Sequence, residues 1–310
     1  MGLSLAALIG RTTEVTIVAR DLVKAERVAA DGVAVHGLIQ AMARPRVVPN
    51  IAALADAEAF TAIFVATKTI AIDQVARELG PVLDALPPDD RPFTISFQNG
   101  IEPGRELMER LHEPRVLRMV LNYGATLTGE TTANVMLNGP PHFIGGPDAT
   151  HRDFTARLAK LLAGCDLPTQ PVDNIEPHVW TKGVLNAAMN PVAALTDCSV
   201  GDVLDSPARA IVSRLLEEGL RVAHAEGIDL GPDIADRMWA ILDKARPHTP
   251  SMVGDIRGGR PSEVGQLNRQ IIEHARRSGV PVPSHELVAA FIDSFDWRVF
   301  RRRQLLSGAT

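Results

Sequence analysis

A change of pattern near residue 172 constrains this chain more than any other feature. Before it, short β-rich runs alternate with helical stretches; after it, only helical stretches remain. Residues 14–18, 60–66, 93–97 and 116–121 read as strands, with helices over 72–83 and 103–111 between them. Nearly continuous apolar strands separated by helices indicate a parallel sheet covered on both faces, because such strands have no polar face to show to water. Val135–Leu137 and His142–Ile144, each with a glycine close behind, are expected to pair as an antiparallel hairpin that closes the sheet. Further on, glycine and proline punctuate helices expected over 176–195, 207–226, 231–245, 261–278 and 284–303. The expectation is a doubly wound α/β domain over residues 1–172 and an all-helical domain over 173–310, with the ligand in the cleft between them.

The 310 residues suffice for two domains with cores of their own. A formal net charge of -5 and the lack of a long basic tract argue against a nucleic-acid partner. The arginines at 298 and 301–303 read as a solvated helix end favoured by the helix dipole. Two cysteines, Cys165 and Cys198, have neither metal-like nor redox-like spacing and fit a reducing compartment, so a cytoplasmic location is expected and no metal. No apolar run reaches the length of a membrane span, and no membrane partner is expected. The apolar start has neither a basic leader nor a convincing cleavage site, so it does not read as a secretory signal.

That start is abrupt for an α/β nucleotide fold. A dinucleotide-binding (Rossmann-like) unit reads strand, Gly-x-Gly-x-x-Gly, helix, second strand. Here the helix over 3–9 and the second strand over 14–18 are present, and Gly2 stands where the fingerprint has its last glycine. The first strand and first two glycines are missing, and a start codon assigned too far downstream is the expected reason. Loss of a central strand would leave its neighbours' backbone groups unpaired. Arg20 follows the second strand where NAD enzymes carry an acid, and an arginine there suits a 2′-phosphate; NADP is therefore the expected cofactor.

In the helical half, Lys182, Asn186 and Asn190 are spaced four apart among Val184, Leu185, Ala187, Ala188 and Met189. On a helix they share one face. A lysine and two carboxamides in an apolar setting need partners or a polar ligand, since unpaired buried polar groups are costly. Thr67-Lys68-Thr69 and Gln98-Asn99-Gly100 follow two expected strands at their C-terminal ends, where open α/β sheets bind ligands.

These segments, with Trp180-x-Lys182, Asn190-Pro191, Ser251-Met-Val-Gly-Asp255 and Pro261-Ser-Glu263 in that order, resemble the ketopantoate reductase (2-dehydropantoate 2-reductase) family from Gly2 to about residue 290. The resemblance implies an NADPH-dependent reductase of a small 2-keto acid, reducing 2-dehydropantoate to pantoate in pantothenate biosynthesis. It implies that Lys182 is the catalytic lysine and Glu263 the acid at the start of a late helix. Asn99 would lie between nicotinamide and substrate, with Asn186, Asn190 and Ser251 holding the keto acid. Gly2, Arg20, Lys68, Ala125, Asn99 and Glu263 fall at cofactor-contacting positions. The chemistry agrees: a lysine, with a reference pKa of about 10.4, is present as the acid at neutral pH and can protonate the developing alkoxide. Two departures bear on the substrate: Val200 stands where many members have another asparagine, and Asn122-Tyr123 where many have Thr-His. A phenol near the nicotinamide would reshape the pocket. The alternatives are a related reductase of a different 2-keto acid and a non-catalytic NADP-binding homologue. The helical region is a candidate homodimer surface.

Overall fold

The computed structural model of the chain describes residues 1–19, 21–55 and 60–307, with side chains to residue 299. Two compact units result: Met1–Gln98 with Pro103–Ile175, and Asn99–Glu102 with Glu176–Thr310.

The first unit begins with α1 (Gly2–Ile9), β1 (Thr16–Val18), α2 (Leu22–Asp31), β2 (Val33–Gly37), β3 (Ala41–Ala43) and β4 (Arg46–Val48). Then come β5 (Ala62–Val65), α3 (Ile72–Asp84), β6 (Phe93–Ser96), α4 (Pro103–Leu111) and β7 (Val116–Val120). It closes with β8 (Tyr123–Leu127), β9 (Thr132–Asn138), β10 (His142–Gly145), α5 (Arg152–Ala163) and β11 (Thr169–Pro171). Strands β5, β6 and β7 run parallel in a five-stranded sheet of order β11-β10-β7-β6-β5. Neighbouring residues of β7 divide between two cores: Val116 joins α3 and α4, while Leu117 and Met119 join α1 and α5. The sheet is thus covered on both faces, as its apolar strands require. Among the described residues β1 has only β4 beside it, and β5 only β6.

Helix α1 is apolar apart from Ser4, whose hydroxyl donates to the Met1 carbonyl at 2.7 Å, because it is enclosed: every residue from Leu3 to Ile9 is buried. A Cβ at Gly2 would stand 2.8 Å from the Cβ of Ala66, just beyond β5. That glycine therefore lets helix and strand end approach closely.

The expected hairpin does not form. β10 does pair antiparallel with β7, with β11 beyond it at the edge, but β9 pairs with β8 and β2 in a separate four-stranded sheet. The linker Gly139-Pro140-Pro141 explains the break. Its prolines have no N–H to give a ladder, and the flanking amides of Gly139 and His142 donate to Asn122 and Pro168 instead.

The second unit is helical: α6 (Glu176–Thr196), α7 (Val200–Asp205), α8 (Arg209–Ala225), α9 (Ile234–Lys244), α10 (Ser251–Arg257), α11 (Asn268–Ser278) and α12 (Pro283–Ser307). None of the described helices is long and apolar enough to cross a membrane. Residues 261–267, expected as helix, are irregular apart from the single 3₁₀ turn Val264–Gln266, and α11 starts only at Asn268.

Helix α6 packs against α8, α10, α11 and α12 and contains Pro191. A proline inside a helix leaves the carbonyl four residues earlier without its donor. That carbonyl belongs to Ala187, and Asn268 on α11 donates its Nδ2 to it at 2.9 Å. The same Nδ2 lies 3.1 Å from Nδ1 of His285, whose Nε2 lies 2.9 Å from the Leu215 carbonyl. His285 is fully buried on α12, and Glu218 of α8 accepts from the Ser284 and His285 amides at the start of that helix. Asn268→Ala would leave the Ala187 carbonyl and His285 Nδ1 without this donor. Chemical denaturation should show a loss of about 2–4 kcal/mol, from two buried acceptors at roughly 1–3 kcal/mol each, partly offset by relaxation.

Burial lowers the pKa of His285 to about 4, outweighing the bond to Leu215 and the charge of Glu218, which act the other way. The unfolded chain, with histidine near 6.5, then binds more protons than the folded one between about pH 6.5 and 4. Stability is complete above that window and falls as pH drops through it, by up to about 1.4 kcal/mol per pH unit from this group. Urea unfolding across the window should be less steeply pH-dependent in His285→Gln than in the native chain; an equal slope would contradict the assignment.

Candidate active site

The polar stripe is realised on α6. Lys182 and Asn186 are half-buried and Asn190 is 8% exposed, each one turn above the last, while Val179, Trp180, Gly183 and Val184 are buried. Among the described residues no protein hydrogen bond engages the carboxamides of Asn186 and Asn190. Their donors and acceptors are therefore available to a polar ligand. Ser251 is the exposed first residue of α10, which packs on α6.

Asn99 belongs to the second unit and donates its Nδ2 to Glu263 Oε2 at 3.1 Å. Glu263 does not start a helix, contrary to expectation; it precedes the 3₁₀ turn Val264–Gln266. Side-chain bonds hold this segment out of helical conformation. Arg260 Nε donates to Asp255 Oδ1 at 2.9 Å, and its Nη2 to the Gly254 carbonyl at 2.8 Å. Asp296 of α12 accepts from the Ser262 amide at 3.0 Å and from its hydroxyl at 2.7 Å. Glu263 thus follows closely on two fixed residues, Arg260 and Ser262.

The remaining predicted residues lie in the first unit or outside the description. Gly2 is at the start of α1, which has no side-chain cap. Lys68 is exposed just after β5, before the 3₁₀ turn Thr69–Ala71. Ala125 is in β8 at a register shift and packs against the core around α1. Arg20 lies outside the described residues. Tyr123, expected near the nicotinamide, is 7% exposed inside the core of the first unit, and burial raises its phenol pKa.

Several supporting residues were not read as such. Arg118, a lone charge in the apolar run Val-Leu-Arg-Met-Val, is buried in β7. It donates to Ser96 Oγ at 2.8 Å and to the Gln98 carbonyl at 2.6 Å, fixing the end of β6. Asp255 was visible as part of a motif without a role. Asp296, 34 residues from Ser262, left no local signal. An open cavity of about 340 Å³ in the second unit is lined by Pro177, His178, Thr181 and Arg237, and by none of the predicted site residues. Burial, then the charge of Arg237, lower the pKa of His178 there. No group of three or more His, Cys, Asp or Glu suited to a metal occurs among the described residues.

A parallel α/β unit with polar strand ends, joined to a helical unit carrying a lysine, carboxamides and a tethered acid, is the build of a two-domain pyridine-nucleotide oxidoreductase. Residues 1–144 match the family described as "Ketopantoate reductase PanE/ApbA", and residues 174–295 match "Ketopantoate reductase PanE/ApbA C terminal". The chain belongs to the ketopantoate reductase family. It is 27% identical over 290 residues to the 2-dehydropantoate 2-reductase of Halobacterium salinarum, covering 89% of each chain. The crystal structure of 2-dehydropantoate 2-reductase from Methylococcus capsulatus superposes with a TM-score of 0.82 at 25% identity, covering 96% of this chain and 94% of that one. A ternary structure of D-mandelate dehydrogenase with NADH and anilino(oxo)acetate shares the fold, with a TM-score of 0.83 at 17% identity over 96% and 95% of the two chains.

Asp296→Ala should remove both bonds to Ser262 and lower stability by about 1–3 kcal/mol; Ser262→Ala, which removes the hydroxyl bond to Asp296 together with the one accepted from the Val264 amide, should cost a similar amount. Parallel urea titrations give the comparison.

Proposed function

We propose that this chain reduces 2-dehydropantoate to pantoate with NADPH, as a step of pantothenate biosynthesis. The observation that carries the reading is the set of polar groups in one helical unit: the stripe Lys182, Asn186 and Asn190, and the pair Asn99–Glu263. A module that only bound a nucleotide would need no such set.

Reduction of a ketone needs a hydride at carbon and a proton at oxygen. Lys182 is the proton donor: its ammonium stabilises the oxygen as charge develops, and its Nζ then gives up the proton. Asn186, Asn190 and Ser251 hold the carboxylate and hydroxyl of the acid through neutral donors and acceptors, which add no competing charge. Glu263 fixes the Asn99 amide and helps to orient Lys182.

The first unit has features suited to a nucleotide. The uncapped start of α1 offers backbone N–H groups to phosphate, and Lys68 adds an exposed cation beyond β5. Gly2 and Ala125 are assigned to the cofactor side, with Arg20 for the 2′-phosphate. When bound, NADPH supplies the hydride.

A second reading, reduction of a different 2-keto acid, has one observation in its favour. Val200 is buried at the start of α7 in place of an amide that the family resemblance leads one to expect.

Lys182→Ala should lower kcat for keto-acid reduction by about 10²–10⁴, with NADPH affinity within about twofold of native. NADPH oxidation and fluorescence titration report the two quantities separately. Near-native turnover, or loss of cofactor binding, would count against the role of Lys182. A panel of 2-keto acids on the native chain decides between the readings: preference for an acid other than 2-dehydropantoate sets the first aside.

A further inference from the structure

We infer that α11 clamps the loop Asn99–Glu102, with Gln270 and His274 as positioning residues that set the Asn99 carboxamide for the reaction. The inference rests on the proposed role of Asn99 at the reacting centre.

The loop carries Asn99 at one end and Glu102 at the other. Gln270 accepts the Ile101 amide at 2.7 Å and the Glu102 amide at 3.2 Å on a single oxygen, Oε1. Its other end is fixed as well, Nε2 donating to Gln266 Oε1 at 2.7 Å. Gln266 lies in the turn directly after Glu263, so the segment that holds Asn99 also orients the glutamine that holds the loop backbone.

One turn further along α11, His274 takes the far end of the loop. Its ring is 2% exposed and stands edge-on to Trp180 of α6, with centroids 4.8 Å apart. Nε2 lies 2.6 Å from Glu102 Oε1, and Nδ1 lies 2.9 Å from Glu226 Oε2 at the end of α8. Arg277 completes the charged surroundings, with Nη2 2.8 Å from Nδ1 and 4.0 Å from Glu102 Oε1. Burial opposes a charged ring, but the bonds to Glu102 and Glu226 outweigh it and raise the pKa above the usual histidine value. Protonation of the ring makes the Nε2 contact with Glu102 an ion pair. In a neutral ring Nδ1 can accept from Arg277, and the Nε2 tether remains in weaker form.

The clamp also seats the loop on the catalytic helix. Ile101 packs against Gly183, where a Cβ would come within 2.8 Å of its Cγ1. Gly183 is the residue next to Lys182. A loop released from Gln270 and His274 would lose the register that keeps Asn99 at Glu263.

The test reads amide hydrogen exchange and keto-acid kinetics together in Gln270→Met, His274→Leu and His274→Gln. Gln270→Met keeps volume and removes the acceptor. Exchange at Ile101 and Glu102 should rise about tenfold, the equivalent of one hydrogen bond of ordinary net strength. Protection at Ala187 and Ala188 in α6 should stay native. The kcat for 2-dehydropantoate should fall by a similar factor, with NADPH affinity unchanged. His274→Leu should open Glu102 in the same way, and His274→Gln, which restores a donor, should recover most of the loss. Native exchange at Ile101 and Glu102 in Gln270→Met overturns the clamp, as does failure of His274→Gln to do better than His274→Leu. An opened loop with unchanged kcat overturns the positioning role. Should Gln270→Met also expose α6, the histidine pair decides. If the native chain reduces no 2-keto acid, the proposed function fails, and exchange alone decides whether the clamp exists.

Discussion

Pro191 withholds one N–H from the middle of a buried helix, and much of the second unit is organised around that loss. The Ala187 carbonyl it orphans takes a side-chain amide from Asn268, which anchors α11 to α6 at a fixed height. Asn268 also meets His285 of α12, whose other nitrogen reaches α8. One missing hydrogen bond is therefore compensated by a polar seam that registers four helices against one another. The stripe Lys182–Asn186–Asn190 lies on the first of them, and the side chains that tether the Asn99 loop lie on the second.

Much of this architecture was legible in the residues. Apolar runs with β-branched side chains marked β5, β6 and β7 within a residue or two, because strands buried on both faces tolerate little else. The stripe on α6 was readable because helical spacing alone puts residues four apart on one face. The hairpin was misread because β9 and β10 look alike locally. What separates them is the Gly-Pro-Pro linker, which sends the flanking amides to other partners. Residues 261–267 carry a helix-like pattern, yet Asp255 and Asp296 outbid it through side-chain bonds no local window contains.

Polar groups buried in the two units follow the same rule by different means. Arg118 sits in an apolar strand because Ser96 and the Gln98 carbonyl accept from its guanidinium. His274 sits between Glu102 and Glu226. Arg118 fixes the backbone just before Asn99 through the Gln98 carbonyl, and His274 holds the Glu102 side chain three residues after it. Such groups are hard to recognise in a sequence, since a single charge in an apolar run looks like an error of pattern until its partners are known.

The chain leaves the first unit after Gln98, contributes four residues to the second, and returns at Pro103 before crossing for good after Ile175. Those four residues make the boundary discontinuous. A fragment cut at residue 176 would contain all of α6 to α12 yet lack the loop, leaving Gln270 Oε1 without the two amides it holds and His274 with one carboxylate instead of two. Some of the contacts inside the helical unit are therefore encoded some seventy residues upstream, between β6 and α4 in the sequence.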